Sequence, residues 1–264
     1  MQHDSLALAT ELMLWSATSS IVDRGEYIVV ATQEAPGWYG GNLLILPHPP
    51  AVGDFERWSG LFAAEFGHRP EIEHRMFYWP GDAASSEAMA PFRTAGFEAE
   101  EEMTLAASAV YAPSFANSEL VIREIERPEE WEMVFGVQFA CRPERFEPEG
   151  YARFLRRRIG NRRHMIGLGM GAWFGAFLGD RLAGTLGLFH RNGVGRFQDV
   201  ITHPEFRRRG VCATLVHHVA GIGLGRWGCR QLAMVADPNY HAARIYERLG
   251  FRPVERTHTL CRYP

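Results

Sequence analysis

The run Asp199-Val200-Ile201-Thr202-His203-Pro204-Glu205-Phe206-Arg207-Arg208-Arg209-Gly210-Val211-Cys212-Ala213 passes from a strand, through a proline-marked turn, into the start of a helix. That local plan suits a pyrophosphate. Such a group needs several donors converging on it, and the first turn of a helix offers unpaired backbone N–H groups and the positive end of the helix dipole. Gly210 lets the backbone come close to a ligand, and Arg207, Arg208 and Arg209 strengthen the positive field. Alone, the same residues also describe a basic, solvated turn before an ordinary amphipathic helix, so the neighbouring sequence has to decide.

On the C-terminal side, apolar periodicity predicts a strand at 231–236, a helix at 239–249 and a last strand near 254–260. On the N-terminal side it predicts strands at 196–202, 181–190, 171–178 and 120–123, with helices near 128–138 and 149–158. The stretch 110–118 (VYAPSFANS) breaks the pattern with Pro and small polar residues and reads as a linker. A boundary there gives domains 1–115 and 119–264. The first contains predicted strands at 27–32, 42–46 and 74–79. It also has a helical stripe of Phe55, Trp58, Leu61, Phe62 and Phe66, with Asp54 as the expected N-cap. Helices interleaved with strands predict an α/β fold, a mixed sheet with covered faces.

The two halves share a pattern. Phe92-Arg93-Thr94-Ala95-Gly96-Phe97, followed by Thr104-Leu105, parallels Tyr246-Glu247-Arg248-Leu249-Gly250-Phe251, followed by Thr259-Leu260, and the Gly-Phe pairs lie 154 residues apart. Each copy reads as a helix ended by glycine, where positive φ is inexpensive, leading into a strand whose Phe enters the core.

Arg207-x-x-Gly210-x-Cys212 resembles the R/Q-x-x-G-x-G/A motif of the GCN5-related N-acetyltransferase (GNAT) superfamily, and Val200-Ile201-Thr202-His203-Pro204 is similar to the strand end that precedes it. Asp237-Pro238-Asn239, with Tyr246 seven residues after the Asn, is similar to the family's late helix. The resemblance spans 120 to about 260; joined with the repeat, it implies two GNAT-like domains, each a mixed, mostly antiparallel sheet flanked by helices. It also implies acetyl-CoA as acyl donor and direct attack by an amine. Arg207, Arg208, Arg209, Gly210, Val211, Cys212 and Ala213 would take the cofactor phosphates, Val200, Ile201 and Thr202 would pair with the pantetheine arm, and Asn239 would hydrogen-bond it. Tyr246 would protonate the departing sulfur; the plainer reading of Tyr246 is a core aromatic. Asp199 is carried as the catalytic base, beside His190 and His203, with an ion-paired or solvated role for Asp199 left open. Cys212 departs from the family's Gly or Ala and suggests sensitivity to thiol reagents. The first half has no such arginine-glycine run and carries Phe92 in place of the Tyr, so it is expected to be a degenerate copy. Its aromatic stretches, 38–42 and 74–79, are expected to pack the interface between the halves rather than to line an acceptor pocket.

Other classes find less support. At 46% hydrophobic and 22% charged, the 264-residue chain has the composition of a packed globular protein. The net charge of −3 gives no general attraction to nucleic acid or an anionic membrane. All 28 basic residues are arginine, so there is no lysine for self-acetylation. Cys141, Cys212, Cys229 and Cys261 show no metal spacing or disulfide framework. His217-His218 lacks a third ligand, and no metal is expected. The first residues lack a basic n-region, which suggests a cytoplasmic protein without a signal peptide. Gly223-Leu-Gly225-Arg-Trp-Gly228 matches a dinucleotide pattern but follows a helix and precedes a strand, the reverse of a Rossmann turn. Arg156, Arg157, Arg158, Arg162 and Arg163 read as a solvated helix end. The expected partner is a small-molecule or protein amine; the rival reading is a non-catalytic acyl-CoA sensor.

Overall fold

A computed structural model describes residues 5–238 and 242–264 of the chain; Asn239 lies outside the described residues. In chain order the elements are α1 (Leu6–Trp15), β1 (Ser20–Asp23), β2 (Ile28–Ala31), β3 (Asn42–Ile45), α2 (Asp54–Phe66), β4 (Arg75–Pro80), α3 (Ser86–Thr94) and β5 (Glu98–Ala107). They continue as β6 (Val121–Glu124), α4 (Pro128–Phe139), α5 (Pro148–Gly167), β7 (Gly171–Leu178), β8 (Arg181–Arg191) and β9 (Val194–Thr202). The last are α6 (Val211–Gly221), β10 (Gln231–Ala236), α7 (Ala242–Arg248) and β11 (Arg252–Arg262).

Helix starts follow from local chemistry. Ser5 Oγ accepts from the Leu8 N–H at 3.0 Å and opens α1. Pro128 and Pro148 stand in the first turns of α4 and α5, where a missing N–H costs nothing. The expected cap of α2 shifts by one: Gly53, at φ +95°, is the N-cap, and Asp54 accepts from the Ala51 N–H at 2.8 Å. Helix α5 runs to Gly167, so Arg162 and Arg163 lie inside the helix, correcting the expected helix end.

The chain divides into two compact units, described separately. One runs to Thr104 and takes up Val254–Pro264 with a short piece beginning at Val235; the other holds Leu105–Met234 and continues to Pro253. The expected division into 1–115 and 119–264 therefore differs at two places. The stretch 110–118 falls within the second unit, and the last strand lies with the first. In that first unit the strand order is β1-β2-β3-β4-β11-β5, with β1–β2, β2–β3 and β4–β11 antiparallel and β3–β4 parallel. Strand β11 joins by pairing Thr257–Arg262 antiparallel to Arg75–Pro80. Helices α2 and α3 seal one face through Trp58, Phe62, Phe66 and Phe92, packed on Phe77, Trp79 and Phe97.

The second unit has the order β10-β9-β8-β7-β6, antiparallel except for β10 beside β9. Its core holds Trp173, Phe174, Leu186, Leu188 and Phe189 from the sheet, with Leu215, Val216 and Val219 from α6, all 1% exposed or less. Each unit is thus a mixed, mostly antiparallel sheet flanked by helices. The sequence repeat has a matching structure: Gly96 (φ +84°) ends α3 before β5, and Gly250 (φ +104°) follows α7 before β11. Phe97 and Phe251 are buried, as a shared helix-glycine-strand plan requires.

Candidate functional site

Strand β9 carries an irregularity that periodicity does not reveal. Thr185 pairs with Ile201 and Gly187 with Gln198, so Leu186 alone faces both Asp199 and Val200. Two residues against one make a β-bulge, and Asp199 takes the unusual positive φ of +50° there. On its other edge, β9 pairs with β10 only from Val194 to Arg196, opposite Gln231–Ala233. Beyond Arg196 that edge of β9 is released from the parallel ladder, so the backbone groups that 198–201 turn to that edge have no strand partner there and are open to an extended ligand.

Past β9, His203 opens a short turn, and Arg208 (φ +63°) and Gly210 (φ +73°) both adopt left-handed backbone. Gly210 is the N-cap of α6. The Thr214 N–H bonds the Gly210 carbonyl at 3.0 Å, so Val211, Cys212 and Ala213 present N–H groups with no acceptor inside the helix. Close packing fixes this terminus on the sheet: a Cβ on Gly184 of β8 would stand 2.8 Å from Val211 Cγ1.

These groups line a cavity of about 710 Å³. Val200, Ile201 and Thr202 form one side, Arg207, Arg208 and Gly210–Ala213 another, and Tyr246 with Arg248 of α7 a third. The predicted cofactor residues inside the described range therefore come together, except that Arg209 is not among the lining residues. Its guanidinium lies 5.7 Å from the centre of the Phe206 ring. Tyr246 is 5% exposed and hydrogen-bonds the Cys212 side chain. Burial pushes the Cys212 thiol up to about 12, while the bond to Tyr246 pulls it the other way. Such a thiol is mostly protonated at neutral pH, which corrects the expectation of reactivity at Cys212.

The candidate bases lie elsewhere. Asp199, with 5% of its side chain exposed, is ion-paired to Arg158 and lies 3.5 Å from Arg162 Nε; Arg162 also donates to Gln198 Oε1 at 2.6 Å. Taking up a proton there would sacrifice both ion pairs. His190 stacks on Trp227 with ring centres 4.8 Å apart, and His203 Nδ1 accepts from the Glu205 N–H at 3.4 Å. None of the three lines the cavity. The basic patch on α5 is likewise engaged: Arg156 pairs with Glu132 at 3.0 Å, and Arg163 lies over Trp131.

Two contributors escaped sequence reading. Cys141, just after α4, sets Sγ 3.6 Å from the Thr202 carbonyl and 3.5 Å from Arg207 Nη2. Pro113, Ser114 and Phe115, read as linker, form part of the cavity wall. No motif or spacing marks either. In the first unit, Asn42 donates to the Ala35 carbonyl at 2.9 Å and accepts from the Thr32 N–H at 3.0 Å, and His74 bonds the Asn42 carbonyl at 3.0 Å. Those stretches make these contacts within that unit.

Residues 131–251 match the family model described as "Acetyltransferase (GNAT) family". No curated protein matches the chain. Among solved structures, a functionally unknown conserved protein from Staphylococcus epidermidis superposes with a TM-score of 0.76 at 12% identity, covering 92% of this chain and 94% of that one. A GCN5-related N-acetyltransferase from Kribbella flavida gives 0.67 at 15% identity over 99% and 97%. A tandem GNAT protein from the clavulanic acid biosynthesis pathway gives 0.54 at 15% identity over 89% and 77%. At these identities the likeness concerns fold, and it extends over both halves. Residues 131–251 thus match the GNAT acetyltransferase family, whose general chemistry is acyl transfer, and the likeness of fold to these structures, one of them a tandem GNAT protein, extends over both halves of the chain.

Proposed function

We propose that the half 119–264 transfers an acetyl, or other acyl, group from acetyl-CoA to a primary amine of a small molecule or protein, and that the half 1–115 is a degenerate copy. The observation that carries this reading is the single cavity where the free N–H groups of Val211, Cys212 and Ala213 face the released end of β9 and Tyr246. The donor suits this cavity: it is an anionic diphosphate on a long polar arm, and when bound it supplies the activated thioester. Val211, Cys212 and Ala213 would hold the diphosphate by backbone N–H, helped by Arg207 and Arg208, with Arg209 adding charge from beside Phe206. Val200, Ile201 and Thr202 would hydrogen-bond the arm through their backbone, with Asn239 as a further partner. A backbone N–H at the β9 bulge would stabilise charge developing on the acyl oxygen. Tyr246, whose hydroxyl lies beside the Cys212 side chain in this cavity, would donate to the leaving sulfur.

Asp199 would then act through the backbone: its ion pairs to α5 hold the bulge in place. In the first unit, Phe92 takes the position that corresponds to Tyr246 and is fully buried against Trp58, Phe77 and Phe97, a packing role without a donor. All four cysteines are free thiols, which suits the reducing cytoplasm. Among the described residues no helix is long and apolar enough to cross a membrane.

The second reading is an acyl-CoA-binding sensor, favoured by one observation: no carboxylate or imidazole is among the described residues lining the cavity. A panel of amines tested with acetyl-CoA, following thiol release in wild type and Tyr246→Phe, separates the two. Turnover that falls in the variant supports the enzyme. Tight acetyl-CoA binding with no turnover on any amine supports the sensor, and no binding defeats both.

A further inference from the structure

The stretch between the two sequence halves is built into the cavity. The Tyr111 N–H bonds the Leu249 carbonyl at 2.8 Å, at the end of α7, and the Tyr111 ring lies against Gly250, 3.1 Å from where a Cβ would stand. Six residues later, Asn117 is fixed to the opposite side. Its backbone N–H bonds Thr214 Oγ1 at 3.0 Å and its Nδ2 bonds the Arg209 carbonyl at 2.9 Å, while Oδ1 accepts from the Glu119 N–H at 3.0 Å. The segment is thus a strap from the end of α7 to the start of α6, anchored at both ends.

Between the anchors, Phe115 meets the phosphate loop itself. A Cβ on Gly210 would stand 2.8 Å from Phe115 Cδ1 and 3.0 Å from its carbonyl oxygen. The ring is therefore one van der Waals layer from the helix N-terminus, yet the residue is 65% exposed. An aromatic ring in the wall of this cavity, on a backbone pinned by hydrogen bonds, is poorly explained by core packing, because most of its surface faces water. It is well placed for a planar ligand group that follows directly on a diphosphate.

We propose that the strap 111–117 forms the nucleotide subsite of the cavity, with Phe115 as the stacking platform for the adenine of the acyl donor and Asn117 as the residue that positions it. This inference rests on the acetyl-CoA reading above. The donor's adenosine begins one bond beyond the diphosphate, so a diphosphate on Val211, Cys212 and Ala213 brings the adenine within reach of the ring. Aromatic rings stack on a purine through offset faces, which suits an exposed ring at a rim. Gly210 gains a second requirement: besides its positive φ, it leaves room for Phe115.

The test is calorimetric titration of wild type, Phe115→Ala, Phe115→Trp and Asn117→Ala with acetyl-CoA and with S-acetyl-4′-phosphopantetheine, which keeps the arm and one phosphate but lacks the nucleotide. The expected result is acetyl-CoA binding roughly tenfold weaker in Phe115→Ala and in Asn117→Ala, retained in Phe115→Trp, with the nucleotide-free ligand unchanged in all. Unfolding temperatures of the free proteins are recorded alongside. Acetyl-CoA affinity unaltered in Phe115→Ala, or an equal loss for both ligands, overturns the nucleotide subsite while leaving the acetyl-CoA reading standing. A wild-type protein that binds no acetyl-CoA overturns both.

Discussion

Tyr246 on α7 hydrogen-bonds the Cys212 side chain at the start of α6, and both line one cavity. A proton donor proposed for a departing sulfur thus already faces a sulfur of the protein. Replacing Tyr246 by Phe keeps the buried ring and removes the donor. Turnover is expected to fall by about a hundredfold or more with little change in KM for acetyl-CoA, as for loss of a general acid. Steady-state kinetics on any accepted amine checks this, and a rise in KM alone would point to a packing role.

The Cys212 thiol, pushed up to about 12 by burial, should be slow to alkylate. Relative to an ordinary cysteine near 9, its thiolate fraction at pH 8 is lower by about a thousandfold. Iodoacetamide labelling followed by peptide mass spectrometry should find Cys212 largely unmodified in the native protein and modified after unfolding. Rapid native labelling would mean that the thiol is not raised.

Asp199 carries a structural load at the bulge. Asp199→Asn removes the partner of Arg158 and Arg162 from a nearly buried position, and a loss of roughly 2 kcal/mol is expected, below the full cost of a buried pair because Arg158 reaches solvent. Chemical denaturation measures it. The acid limb of the pH–rate profile should stay where it is in wild type. Disappearance of that limb in the variant would identify Asp199 as the base.

Glu130, at the start of α4, gives the second unit a pH dependence. Burial alone would raise its carboxyl, but bonds from the Arg127 side chain, the backbone N–H groups of Arg127 and Glu126, and Arg123 hold it at about 2. Its folded value lies below its unfolded one, so its stabilisation is fully present above about pH 4.5 and is lost as pH falls towards 2. The contribution is on the order of 2 kcal/mol, limited by the half-exposed arginines. Glu130→Gln should lower the midpoint of urea unfolding at pH 7 and leave it little changed near pH 2.5. Equal losses at both pH values would contradict the assignment.

What the sequence determined by itself was local. Pro204, the arginines and Gly210 specify a turn into a helix start within a few residues, and the free N–H groups of Val211, Cys212 and Ala213 follow from helix geometry wherever that helix lies. Gly96 and Gly250 likewise announce the repeat, because a positive φ at a helix end is a property of single residues. The pairing of β11 with β4 was decided only by the tertiary structure, since a strand's alternation is the same whichever neighbour its edge joins. The same holds for the bulge at Asp199 and its arginine partners, which depend on register against β8 and on a helix forty residues upstream in the chain. The strap shows the limit most plainly. VYAPSFANS has the composition of a linker, and only its hydrogen bonds to Leu249, Arg209 and Thr214 bring Phe115 against the phosphate loop.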